Sequence, residues 1–274
     1  MFSLTLDENR VTISHLGTSI VNASGRDIAS MNYFRHGIMP LEANPDDVNN
    51  DRRTVVLPLL LGRFAYDPDS CFPASRRGEL TLELDIDVAS GGYDDFRFSV
   101  ETIELLGAKP REYERKTVVS QTFASTGDND VNLPIGHRVR GLLLFGTTGV
   151  AGAAPAPSWG RISVHLDNKE HSIAGMDFET AMVLGSLHGR QPPALDTHTH
   201  RVTTDGNAQT ELETLAGPIE QGSGGWLNYA FLDFDPSRND MFALETKGVS
   251  DFLIRANAET ADAVRVLPVE RVSV

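Results

Sequence analysis

RVTISHLGTSIVNASGRDI, residues 10–28, and RISVHLDNKEHSIAGMDF, residues 161–178, carry one pattern twice. Each gives a short alternating strand, a polar turn, a Ser-Ile step, a Gly, and then an Asp before an apolar residue. In Ile162, Val164 and Leu166 the apolar residues recur at every second position, the period of a strand with one face buried. Asp27 and Asp177 stand where a helix wants an N-cap, a side-chain oxygen that accepts a free N–H of the first turn. Two short helices are therefore expected. The first ends at Gly37; the second runs from Phe178 to His188, sets Phe178, Ala181 and Met182 on one face, and stops at Gly189, a residue suited to a left-handed cap.

The parallel continues downstream. TVVLPLLLGRFAYDPDS and GWLNYAFLDFDPS both close an apolar stretch with an aromatic-Asp-Pro turn, Tyr66-Asp67-Pro68 answering Phe234-Asp235-Pro236. Gly78–Leu84 is then laid against Val249–Arg255, and Phe98–Leu106 against Val264–Val272. Leu80, Leu82, Leu84, Ile86 and Val88 alternate strictly with other residues, and the apolar phase slips between Val100 and Ile103, which predicts a β-bulge. Between the repeats, residues 115–149 supply a strand, a turn-rich crossing around Gly127 and a second strand from Val139 to Thr147. Many short strands with turn signals and only two short helices predict an all-β chain of two tandem jelly-roll β-barrels, each with one short helix. The barrels are expected at residues 1–132 and 133–274.

Composition narrows the function. With 40% hydrophobic and 23% charged residues the chain is built to fold around a sizeable core. A formal charge of −14 opposes binding to phosphate backbones, which draws on a basic stripe, so no direct nucleic-acid partner is expected. The N-terminal MFSLTLDENR lacks the basic and apolar regions of a signal peptide, and no run of about 18 apolar residues occurs. Cys71 is the only cysteine, which excludes an internal disulfide and a cysteine-based zinc cluster and suits synthesis in a reducing host cytoplasm.

Chemistry-bearing constellations are few. Asp196-Thr197-His198-Thr199-His200 sets two imidazoles at the spacing that shares a metal from one strand face, but the βα alternation that accompanies such sites is missing, and a polar loop accounts for it. Asp233, Asp235 and Asp240 offer oxygen ligands for a structural calcium without the Gly and terminal Glu of an EF-hand loop; a turn built on Pro236, echoed at Asp67 and Asp69, explains the same residues. Asp46-Asp47 and Asp94-Asp95 belong to solvated turns. There is no Gly-x-Ser-x-Gly elbow, Gly222-Ser223-Gly224-Gly225 is a flexible turn, and Cys71, between Pro68 and Pro73, reads as a packed small residue. No catalytic or cofactor-binding residue is assigned. Trp159 and Trp226 flank strands and are expected to anchor the second barrel. The Pro-, Gly-, Thr- and His-rich stretch from Arg190 to Gly225 is expected on the outer surface, and pairs such as Arg52-Arg53 and Arg76-Arg77 are expected to offset the acidic balance locally at any subunit contact.

With the repeated strand-helix-strand order, the junction LPIGHRVRGLLLF (Leu133–Phe145) and the stretch from Phe231 to Ala256, the chain resembles the double jelly-roll major capsid proteins of the tectivirus, corticovirus and adenovirus lineage. The resemblance covers nearly the whole chain. It implies a non-enzymatic virion protein that forms trimers approximating a hexagon in an icosahedral shell of a bacterial or archaeal virus. Implied partners are further copies of itself, vertex (penton) and minor capsid proteins, and an internal lipid membrane. Two other readings stand beside it: a lectin-like carbohydrate-binding sandwich that uses Trp226, the acidic turns and calcium, and a cupin-type metal enzyme, which wants a compact His-x-His set that the scattered histidines do not supply.

Overall fold

The computed structural model describes residues 10–38, 41–43, 54–85, 98–147, 158–171, 173, 175–186, 199–202, 211–214 and 228–274. The elements of the first half are β1 (Arg10–His15), β2 (Thr18–Ser24), α1 (Gly25–His36), β3 (Leu41–Ala43), β4 (Thr54–Val56), β5 (Leu80–Asp85), β6 (Glu112–Thr117), β7 (Val119–Thr122) and β8 (Gly127–Asn132). The second half continues with β9 (Arg138–Gly146), β10 (Arg161–Leu166), β11 (Lys169–Glu170), β12 (Met176–Asp177), α2 (Phe178–Ser186), β13 (Thr199–Val202) and β14 (Glu211–Thr214). It ends with β15 (Tyr229–Asp233), β16 (Leu244–Glu245), β17 (Phe252–Ala258) and β18 (Ala263–Ser273). The chain is all-β with two short helices, as the sequence predicts.

The repeat is visible in backbone detail. β1 and β2 are joined through Leu16 and Gly17, at φ 49° and 82°; β10 and β11 are joined through Asp167 and Asn168, at φ 50° and 61°. Two-residue hairpin loops with both residues left-handed twist in the sense the strands require. β1 then pairs with β5, setting Ile13 opposite Leu82, and β10 pairs with β17, setting Val164 opposite Ile254. Leu80, Leu82 and Leu84 thus correspond to Phe252, Ile254 and Ala256. This shifts the sequence alignment, which set Leu80 against Asp251, by one residue and matches apolar to apolar.

The predicted helices form, with one change of role. Ser24, not Asp27, caps α1: its Oγ accepts the Asp27 N–H at 3.0 Å, while the Asp27 carboxylate accepts the Ser24 N–H, a reciprocal capping box. Gly37, at φ 63°, ends α1, its N–H donating to the Asn32 and Tyr33 carbonyls. In α2, Phe178 and Ala181 are fully buried and Met182 packs beside them. Asp177 directly precedes α2; Gly189 lies outside the described residues.

Nine strands form one sheet in the order β15-β9-β18-β6-β2-β1-β5, with β16 on β9 and β7 on β18; only β2 and β6 run parallel. Five strands form the other, β11-β10-β17-β8 with β12 on β10. The middle of the large sheet is apolar on both faces. Leu142, Leu144, Ala230, Leu232, Val264 and Val266 pack with Ile162, Val164, Ile254 and α2 in one core; Leu143, Phe145, Tyr229, Phe231, Leu267 and Val269 pack with α1 and β2 in the other. A strand buried on both faces needs a continuous apolar run instead of alternation, and this is why GLLLF reads as it does.

Two expectations meet different outcomes. Phe98–Leu106, laid against Val264–Val272, forms no strand, and Phe98, Val100, Ile103 and Leu106 are exposed; it finds no ladder partner among the described residues, whereas β18 gains β6, β7 and β9. The ladders also cross the expected division at residue 132, since β8 pairs along its whole length with β17, and β7 with β18.

Candidate functional site, an ionic junction between the halves

β6 reads EYERKT, and its inward face is Glu112, Glu114 and Lys116, all buried. A strand that turns three charges inward must meet partners, because an unpaired buried charge costs several kcal/mol. From α1, Arg35 reaches Glu114 with two hydrogen bonds of 2.5 and 2.9 Å, both side chains fully buried. Lys116 lies 3.1 Å from Glu114 and donates to the Leu60 carbonyl at 2.7 Å. From β9, Arg140 donates to Glu114 at 3.2 Å, to Asp240 at 2.7 and 3.0 Å, and to Glu112.

Arg140 owes its direction to a bulge. The β18 ladder pairs Val269 with Gly141 and then Glu270 with Val139, so Arg140 is the extra residue on β9. Without the bulge, strict alternation would put Arg140 with Leu142 and Leu144 in the apolar core; with it, Val139 takes that core position and Arg140 turns to the carboxylates. The bulge expected from phase slip at Val100–Ile103 does not form, since residues 98–106 make no strand; the bulge at Arg140 is a separate feature that the sequence reading did not identify.

The turn after β15 completes the junction. Asp235 accepts the Asn239 and Asp240 N–H groups at 2.9 and 2.7 Å through Oδ1, and its Oδ2 lies 3.2 Å from Arg63. Asp233 accepts the Asp235 N–H at 2.8 Å and pairs with Arg238 at 3.2 Å. Asp240 pairs with Arg63 and Arg140, and Arg271 of β18 pairs with Glu112. The Asp67 turn repeats the device, Asp67 Oδ1 accepting the Asp69 N–H at 3.0 Å. Arg63 links the two turns, donating to the Arg238 carbonyl at 2.8 Å. The three aspartates named from sequence as calcium ligands are therefore held by arginines, and the structural-turn reading is the one the geometry supports.

Charge balance sets the protonation states. Burial pushes the Glu114 carboxyl up, but Arg35, Lys116 and Arg140 outweigh it and hold it well below the carboxylate range. Burial draws Lys116 down despite Glu114. Asp240, against its burial, is held at about 2 by hydrogen bonds and charge from Arg140 and Arg63. His36, at the end of α1, falls to about 3 through burial, then through the charges of Arg35 and Lys116, with Arg238 adding to the effect and Glu114 opposing it. It is neutral beside a cluster already rich in cations.

A second tie anchors the start of α1. Asp27 accepts the Tyr229 hydroxyl at 2.7 Å and the Arg265 guanidinium at 3.0 Å, and Arg265 lies 3.8 Å over the Phe145 ring. Both ties run from α1 and β6 to β9, β15 and β18, and fix one half against the other. The signal available in sequence was EYERKT, charged at every inward position, and RVRG at the start of β9.

The remaining sequence candidates fall apart. Trp159 is core, its indole N–H donating to the Phe145 carbonyl at 2.9 Å and its ring edge-on to Phe123. Cys71 is half-buried with its thiol pushed up by burial and by Asp67 and Asp69, the opposite of an activated nucleophile. Arg76 and Arg77 are exposed. Thr199 and His200 lie in β13, which pairs with β14; Asp196, Thr197, His198, Trp226, Arg52, Arg53, Asp46, Asp47, Asp94, Asp95 and residues 222–225 lie outside the described residues. Among the described residues no three His, Cys, Asp or Glu side chains are grouped to hold a metal. A cavity beside Lys116, lined by Met31, Leu59 and Leu267, has about 10 Å³, space for one water. No helix among the described residues is long and apolar enough to cross a membrane.

No protein-family model and no curated protein matches the chain. Solved structures do. The major capsid protein P2 of bacteriophage PM2 aligns over 98% of this chain and 83% of its own at 12% identity, with a TM-score of 0.53. A chain of the Sulfolobus Turreted Icosahedral Virus structure aligns over 99% of this chain and 75% of its own at 11% identity, with a TM-score of 0.56. A chain of the PBCV-1 virus capsid aligns over 98% of this chain and 80% of its own at 11% identity, with a TM-score of 0.51. These likenesses establish the fold, two jelly rolls in one chain.

Proposed function

We propose that this chain is a major capsid subunit, a structural protein whose activity is to assemble with copies of itself into an icosahedral viral shell. The observation that carries the reading is coverage: the likeness to capsid chains spans 98–99% of the sequence, both barrels and the junction together. The ionic junction supports it. A shell subunit must present two barrels at one fixed angle, and a network that ties α1 and β6 to β9, β15 and β18 does this without exposing an apolar seam.

In this reading the subunit forms trimers whose six barrels approximate a hexagon, resides in the virion, and meets vertex and minor capsid proteins and an internal membrane. In the same reading the two barrels comprise residues 1–132 and 133–274, joined by the ladders that β6, β7 and β8 make with β18 and β17. Light scattering on the purified chain over a concentration series tests the reading. A stable trimer of about 90 kDa from the 29.9 kDa chain, or larger shells, is the expected result; a monomer at every concentration overturns it.

A further inference from the structure

β17 and β5 occupy the same place in the two halves and differ in one respect. β17 has β10 on one edge and β8 on the other, and Phe252 and Ala256 are 1% and 0% exposed. β5 has β1 on one edge and, among the described residues, no strand on the other; the matching Leu80 and Leu84 are 39% and 38% exposed. Edges left open in this way are normally blunted by Lys, Pro, a bulge or charged side chains; LTLELD carries no Lys, Pro or bulge, and its acids are Glu83, on the face opposite the leucines, and Asp85, at the strand end. Nearby in sequence, Val100, Ile103 and Leu106 are also exposed, Leu106 at 95%.

The sequence of β5 says what fits there. Opposite residues of an antiparallel pair point to the same face, so a partner strand must put apolar residues opposite Leu80, Leu82 and Leu84. A second β5 run antiparallel about Leu82 does so: Leu82 meets Leu82, Leu80 meets Leu84, and Thr81 meets Glu83 on the other face. Moving the pair by one residue sets Leu80 against Asp85, moving it two residues in that direction sets Glu83 against Glu83, and moving it two residues the other way sets Glu79 against Glu83. The central register keeps the leucines together and confines like charges to its two ends, where Asp85 faces Glu79, so the apolar centre has the self-complementarity that a two-fold contact requires.

We propose that β5 is a subunit contact, its free edge filled by β5 of a second copy, so that the sheet of the first barrel runs on across a two-fold axis. This rests on the capsid reading and adds to it the strand and the register. The test uses two full-length chains in a Cys71→Ser background, one Thr81→Cys and one Glu83→Cys. Mixed, assembled and mildly oxidised, they form covalent dimers in the mixture and not in either chain alone. In otherwise unmodified chains, Leu80→Thr with Leu84→Thr weakens self-association at least tenfold while the urea midpoint of the subunit is unchanged.

Three results overturn the proposal. Assembly without crosslinking in the mixture removes β5 while leaving the shell reading intact. A lowered urea midpoint with unchanged assembly shows that the subunit's own residues cover the edge. A wild-type chain that stays monomeric removes both readings.

Discussion

Replacing His36 with Gln should flatten the acid sensitivity of this fold. His36 closes α1 against the ionic junction, facing Arg35 on its own helix, Glu114 and Lys116 on β6, and Arg238 from the turn after β15. Its pKa is lowered to about 3 in the folded chain, from about 6.5 in the unfolded one. The unfolded chain therefore binds the extra proton first as pH falls. Stability from this group is whole above pH 6.5 and is lost progressively as the pH drops toward 3.

At pH 5 the solution is about 1.5 units below the unfolded pKa of the imidazole, which is still neutral when folded; at pH 7.5 it is neutral in both states. At about 1.4 kcal/mol per unit the loss is about 2 kcal/mol. Asp240, folded pKa about 2, contributes stability that disappears only below its ordinary value of 3.8, outside this window. Urea unfolding followed by the fluorescence of buried Trp159, at one fixed protein concentration, gives the stability of both proteins at pH 5 and 7.5. Groups common to both cancel in the difference. The wild type should lose about 2 kcal/mol more than His36→Gln on acidification; parallel losses in the two proteins would refute the placement of a neutral imidazole beside these cations.

Four further outcomes are expected. Glu114→Gln strands Arg35, Lys116 and Arg140 without their shared carboxylate and should cost about 3–5 kcal/mol in urea unfolding, the range for breaking a buried pair; a loss below about 1 kcal/mol would contradict the network. Gly141→Ala sets a methyl into the Phe231 ring and 2.9 Å from the Leu232 carbonyl, with an expected cost of about 1–3 kcal/mol in thermal or urea melts. Tyr229→Phe removes the buried donor to Asp27 and should cost about 1–2 kcal/mol, with no change if the hydroxyl is in fact solvated. Leu16→Asn should stabilise the subunit by about 1 kcal/mol, since Leu16 sits at φ 49° with its side chain 71% exposed, a backbone that Asn tolerates better; an unchanged melt would argue that the turn relaxes.

The fold was legible because its repeat is written in local terms. A hairpin turn, a capping acid and a left-handed glycine each depend on a few neighbouring residues, so residues 10–37 and 161–189 could be matched before any contact was known. Where the sequence reading slipped, the deciding partner lay far away. Asp27 looked like a cap and is one half of a capping box, the other oxygen being taken by Tyr229, 202 residues on. Alternation alone could not show that, among the described residues, Phe98–Leu106 lacks a ladder while Val264–Val272 has three. The candidate site was less legible, because EYERKT gains its meaning only when Arg140 arrives through a bulge on another strand and Arg35 through a helix.

That dependence also explains why the junction is ionic. The two cores meet on opposite faces of one sheet, so an all-apolar junction would let β6 slide against β18 by two residues with its side chains still on the correct faces. The carboxylates remove that freedom. Glu114 can reach Arg35 of α1 and Arg140 of β9 together only in the observed register, and a slip of β6 that separates it from them leaves buried charges apart at several kcal/mol each. The pairs need not add net stability to do this; they need only make the neighbouring registers worse. In the proposed shell role, where two barrels would meet neighbours at a fixed angle, a single register matters more than additional stability.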